Sequence, residues 1–182
     1  MLSRLFRSRT PLSPDEREAI IDYYIREAEL AAFQDREAEK HNRTLLQHGQ
    51  NLQSPDSVSQ LLEASNRLAL NARQLTDRHA NFGTVPDLAA PSYARWHVVY
   101  VRYQEWTEAS YYAIEAISKG LQPNLERVQQ LLQIAETHRQ SAQREDAKLL
   151  HSVRLTPHDL QRIYATGQSS PEQDDSTPPT AG

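Results

Sequence analysis

Seven histidines and twenty-four acidic side chains are the chain's stock of metal ligands and proton carriers, because it holds no cysteine. A carboxylate-bridged metal bundle needs Glu-x-x-His on two helices, and the sequence has no such spacing. Neither His-x-x-x-His nor His-Glu-x-x-His occurs. Glu37, His41 and His48 do share a helical stripe, at spacings of four and seven residues. The stripe falls at the edge of the apolar arc, so these three are expected on a solvated face. His79, His97, His138 and His151 stand singly. No metal site and no cofactor is therefore expected.

Other chemistry is as thinly supported. Without cysteine there is no thiol nucleophile, disulfide or zinc ribbon. No Gly-x-Ser-x-Gly elbow presents a serine. The carboxylate pairs Glu27/Glu29 and Glu37/Glu39 sit among bases at i, i+4 spacings, which read as solvated helical ion pairs. A net charge of −4 exerts no global pull on nucleic acid. Only Arg4, Arg7 and Arg9 cluster without intervening acids, too few for more than weak, salt-sensitive attraction.

Composition limits the architecture. Hydrophobic residues make up 38% of 182, and mean hydropathy is −0.74. Even with the five glycines added, this stays below the roughly 45–50% of globular domains, which argues against a multilayer α/β core. Few glycines also disfavour an all-β fold with many tight turns. No stretch approaches the roughly 18–20 apolar residues of a membrane span. The first nine residues lack the apolar stretch of a signal peptide, so the expected compartment is the cytoplasm.

Prolines divide the chain into helices. Ser13-Pro14-Asp15-Glu16 has the residues of a capping box with proline at the first helical position. Ser54-Pro55-Asp56 repeats the start, Pro91-Ser92 and Gln122-Pro123-Asn124 open further segments, and Thr156-Pro157-His158-Asp159 repeats the box. Gly49 and Gly120 stand where a glycine in the left-handed region ends a helix. The spacing predicts long helices near 14–48, 55–80, 91–119 and 123–154, and a short one near 157–165. The expected fold is all-α, an antiparallel up-down four-helix bundle with a short fifth helix. Residues 1–13 form a basic amphipathic N-terminus and residues 166–182 an acidic, disordered tail. The stretch Ala113–Asn124 resembles the second helix and turn of a tetratricopeptide unit. The other positions of that 34-residue repeat do not match and no second copy occurs, so no repeat fold follows.

Helical projection gives the faces. Asp35 interrupts the arc of the first helix, Arg139 and Asp146 that of the fourth, and Thr107 and Ser110 lie within the third. Counting rise from the connectors sets Asp35, Thr107 and Arg139 at one level, so Asp35, Thr107, Ser110 and Arg139 are expected to form a buried polar layer. Its favoured reading is an ion pair that fixes register. Tyr23, Leu30 and Phe33 lie away from the first helix's main arc, and Val98, Val101 and Tyr112 away from the third's. These six are the expected partner-binding residues, for another protein or a second copy. Leu2, Leu5 and Phe6, flanked by Arg4, Arg7 and Arg9, form a short amphipathic segment suited to a membrane surface or a partner. The expected function is a non-catalytic helical interaction protein, an adaptor or a small subunit of a larger assembly. A bundle enclosing a ligand or metal, and a peripheral membrane protein anchored by its N-terminus, are the alternatives. No small-molecule substrate and no nucleic-acid partner is expected.

Overall fold

The computed structural model describes residues 12–153 and 155–168, which form five helices: α1 Pro14–His48, α2 Pro55–Ala80, α3 Ala90–Ser118, α4 Leu125–Val153 and α5 Pro157–Gln168. The N-terminal Leu2, Arg4, Leu5, Phe6, Arg7 and Arg9, and residues 169–182 of the expected tail, lie outside the described residues. No described helix is long and apolar enough to cross a membrane.

Local chemistry explains most boundaries. The Ser13 hydroxyl accepts from the Glu16 N–H at 3.2 Å while the Glu16 carboxylate accepts from the Ser13 N–H at 2.8 Å, closing the box that starts α1. Thr156 and Asp159 exchange the same two bonds at the start of α5. The helix of Gln122-Pro123-Asn124 opens later than proline alone suggests, because Asn124 Oδ1 accepts from the Arg127 N–H at 3.0 Å. Gly120 takes φ +68° and ends α3 as expected, whereas Gly49 stays right-handed at φ −65°. The fifth helix runs to Gln168, three residues into the segment expected to be tail.

Successive long helices are antiparallel and packed α1 on α2, α2 on α3 and α3 on α4, with α5 against α1. The 49–54 and 119–124 connectors therefore share one end, called distal below. The 81–89 connector and α5 mark the proximal end.

The main core is proximal. It joins Ile20, Ile21, Tyr24 and Leu30 of α1 to Leu75, Trp96, Val99, Ala142, Leu149 and, from α5, Ile163. A smaller cluster of Leu68, Ala72 and Tyr103, with Trp106 against it, lies further along. The expectation that Tyr23 and Leu30 face outward is corrected here. They are 0% and 5% exposed, because the 81–89 connector folds over that side of α1 and packs Phe82 and Val85 into the core. Phe33 is partly buried with the Arg78 guanidinium over its ring, Val98 and Val101 are half-buried, and Tyr112 is exposed.

Leu30→Ala should therefore cost about 2–5 kcal/mol of unfolding free energy, the range for a truncated core leucine. Chemical denaturation measures it, and a loss below about 0.5 kcal/mol would return Leu30 to the surface.

Candidate functional site

Helix α1 carries its acid Glu27 into the core, one turn from both Tyr23 and Tyr24, and only 4% of it is exposed. A carboxyl group at that depth needs donors on both oxygens. Tyr100 of α3 donates its hydroxyl to Oε1 at 2.7 Å, and Nε2 of the fully buried His79 of α2 lies 3.2 Å from Oε2. The opposite ring nitrogen, His79 Nδ1, faces His97 Nδ1 at 3.4 Å. Tyr93 stacks on the His79 ring at 4.4 Å and 11° and donates its hydroxyl to the His79 carbonyl at 2.9 Å.

A second acid, the partly buried Asp146 of α4, sits nearer the proximal end. It accepts from the Ser92 hydroxyl and, at 2.8 Å, from Trp96 Nε1–H, both on α3. Tyr23 Oη lies 3.1 Å from Ser92 Oγ, and the Tyr24 hydroxyl donates to the Asp146 carbonyl at 3.3 Å. Burial pushes the Asp146 carboxyl above its ordinary range, while the bonds from Ser92 and Trp96 pull it back. Burial likewise raises the phenols of Tyr23, Tyr24 and Tyr100. Together, Glu27 and Asp146 tie all four long helices through side-chain hydrogen bonds. Of two hollows, one of about 260 Å³ has Ser92 and Lys148 in its wall and one of about 440 Å³ lies beside Ile134 and His138. Neither reaches Glu27 or His79.

The expected polar layer is corrected by this arrangement. Arg139 and Asp35 do approach, at 3.9 Å, but their side chains are 42% and 65% exposed, so the pair is solvated rather than buried. Thr107 is fully buried and bonds its own helix at Gln104, and Ser110 bonds Trp106. The expectation of a solvated His41 also fails: it is 4% exposed, and burial lowers its pKa. Among the described residues, no group of three or more His, Asp or Glu converges as a metal site.

The distal half is built differently. Buried polar atoms without a hydrogen-bond partner are His41 Nδ1, Ser65 Oγ, Arg102 Nε and Tyr103 Oη. Among the described residues, His41 and Ser65 lie in the distal half and Arg102 and Tyr103 at the bundle's middle level. Leu45, Leu46, Leu52, Leu121 and Leu125 are exposed at that end, and Tyr112, Leu132 and Ile134 are exposed within about three turns of it. Among the described residues, the other exposed large hydrophobics are Leu70 and Leu88.

No family model, curated protein or solved structure matches this chain.

Two outcomes follow from Glu27 and Asp146. Glu27→Ala strands the Tyr100 and His79 donors and should cost about 2–5 kcal/mol, with Glu27→Gln, which keeps one acceptor, costing less. Equal, sub-kcal/mol losses in chemical denaturation would show that the network does not hold the fold. Because the folded Asp146 binds its proton more tightly than the unfolded chain, its contribution is fully present below the ordinary aspartate range. It is lost as pH rises through the folded value. Asp146→Asn should therefore gain stability relative to the native chain from about pH 3 upward, and a difference independent of pH would contradict the assignment.

Proposed function

We propose that this chain is a non-catalytic helical interaction protein, an adaptor or small subunit of a larger assembly, that docks through its distal end. The observation that carries the reading is the contrast between the two halves of one bundle. Proximally, Glu27 and Asp146 find donors and the large apolar side chains find neighbours. Distally, two buried polar atoms, His41 Nδ1 and Ser65 Oγ, lack partners and eight large apolar side chains are exposed. Scattered exposed apolar residues are ordinary, but their concentration at one end fits a surface that another molecule covers.

The acids and histidines support this reading more than an enzymatic one. Glu27, His79 and Tyr100 are consumed by one another, and a hydrogen-bonded buried group of this kind fixes helix order and register. The surface also moves away from the six helix residues expected from sequence: of those, Tyr112 alone is exposed, at 63%, and close to the distal end.

Leu46 and Leu121 are 78% and 61% exposed, so glutamate at both positions removes little packing. The variant Leu46→Glu with Leu121→Glu should keep its helical circular dichroism and melt within about 2 °C of the native chain at high dilution. It should also lose the assembly that the native chain forms in its source cells, read by tagged recovery. A melting point lowered by more than about 5 °C, or unchanged recovery, would overturn the reading.

A further inference from the structure

We infer that the occupant of the distal end is a second copy of this chain, docked end to end about a two-fold axis; this rests on the reading of that end as a docking surface. Three features of the surface select a copy of itself.

The first is charge. The stretches 44–62 and 112–134, which hold the eight apolar side chains, carry three acids, Asp56, Glu115 and Glu126, and two bases, Lys119 and Arg127, in a chain that is 24% charged. Most of the excess that gives the chain its net −4 lies elsewhere. Two copies therefore meet with least repulsion through these ends. The same balance disfavours an anionic membrane or a nucleic acid, which select basic surfaces.

The second is the nature of the polar groups. Gln47, Gln50, Asn51, Gln53, Gln122 and Asn124 surround the apolar side chains at the two connectors. Each amide both donates and accepts. An amide-rich rim is thus complementary to itself, as an isologous interface requires, where the same patch serves both partners.

The third is size. Leu45, Leu46, Leu52, Leu121 and Leu125 form the apolar centre of the end, and Tyr112, Leu132 and Ile134 extend it along the sides towards the roughly 800 Å² that one partner contributes to a standard specific interface. The bundle leaves both connectors at one end, so a single two-fold axis covers both and closes the assembly at a dimer.

The test uses the full chain, whose lack of cysteine makes single-cysteine reporters clean. Light scattering should give about twice the 20.8 kDa chain mass at roughly 100 μM, falling towards one chain on dilution by mass action. Leu46→Glu with Leu121→Glu should stay at one chain mass throughout. Under mild oxidation Gln50→Cys at the distal connector should form a covalent dimer, and Thr84→Cys at the proximal connector should not. A native chain that remains monomeric at every concentration overturns the proposal, as does cross-linking through Thr84→Cys in preference to Gln50→Cys. If the native chain is monomeric while the charged variant still loses its cellular assembly, the docking surface stands and its occupant is a different protein.

Discussion

Glu27 lies where a carboxyl group survives only if both of its oxygens are met, and the rest of the proximal half is arranged around that requirement. One oxygen draws Tyr100 of α3 and the other draws His79 of α2. Tyr93 then clamps His79 from above, and His97 closes its free edge. Buried polar bonds of this kind add little net free energy when complete, but leaving one unmade is expensive. Alternative registers of α1 against α2 or α3 move Glu27 away from its donors and incur that penalty. Asp146 imposes the same condition on α4 through Ser92 and Trp96. Helix order thus follows from two acids, while stability comes from the apolar and aromatic side chains packed between them.

With the proximal half settled in this way, the distal half is left with fewer constraints. Its apolar residues are spread along α1 to α4 outside the main core. Leu61, Leu131 and Ala135 are buried there, yet Leu132 and Ile134 on the same helix as Leu131 face water. Ser65 is fully buried with its hydroxyl unpaired, and His41 keeps one ring nitrogen without a partner. A chain that satisfies its buried polar groups in one half and not in the other divides its surface accordingly. The proximal half holds the fold, and the distal half is the surface proposed for docking.

The helices were legible in the sequence because their signals are local: a serine cap, a proline at the first turn, a glycine past the last. Faces were harder. The arc of α1 was drawn from one stripe, and Glu27 was placed with the solvated carboxylates because Arg26 and Glu29 flank it. Yet Tyr23, Glu27 and Leu30 are spaced i, i+4, i+7, a second stripe that reads as buried once the acid is allowed within it. Asp146 was visible as an interruption of the α4 arc, but its partners Ser92 and Trp96 are 54 and 50 residues away. His79 and His97 looked solitary for the same reason, since helix pairing and not sequence spacing brings them together. The level of Asp35 and Arg139 was read correctly from rise per residue. Their depth was not, because rise fixes height along a bundle and says nothing of distance from its axis.

Amide hydrogen exchange on the full chain, at high dilution, measures the proposed division most directly. The account predicts the slowest exchange along Ile20–Leu30, Leu75–His79, Trp96–Tyr100 and Ala142–Leu149, with protection falling steadily towards the 49–54 and 119–124 connectors. Equal protection of the two halves would contradict it, by showing that the distal end is as fully held within the single chain as the half built on Glu27 and Asp146.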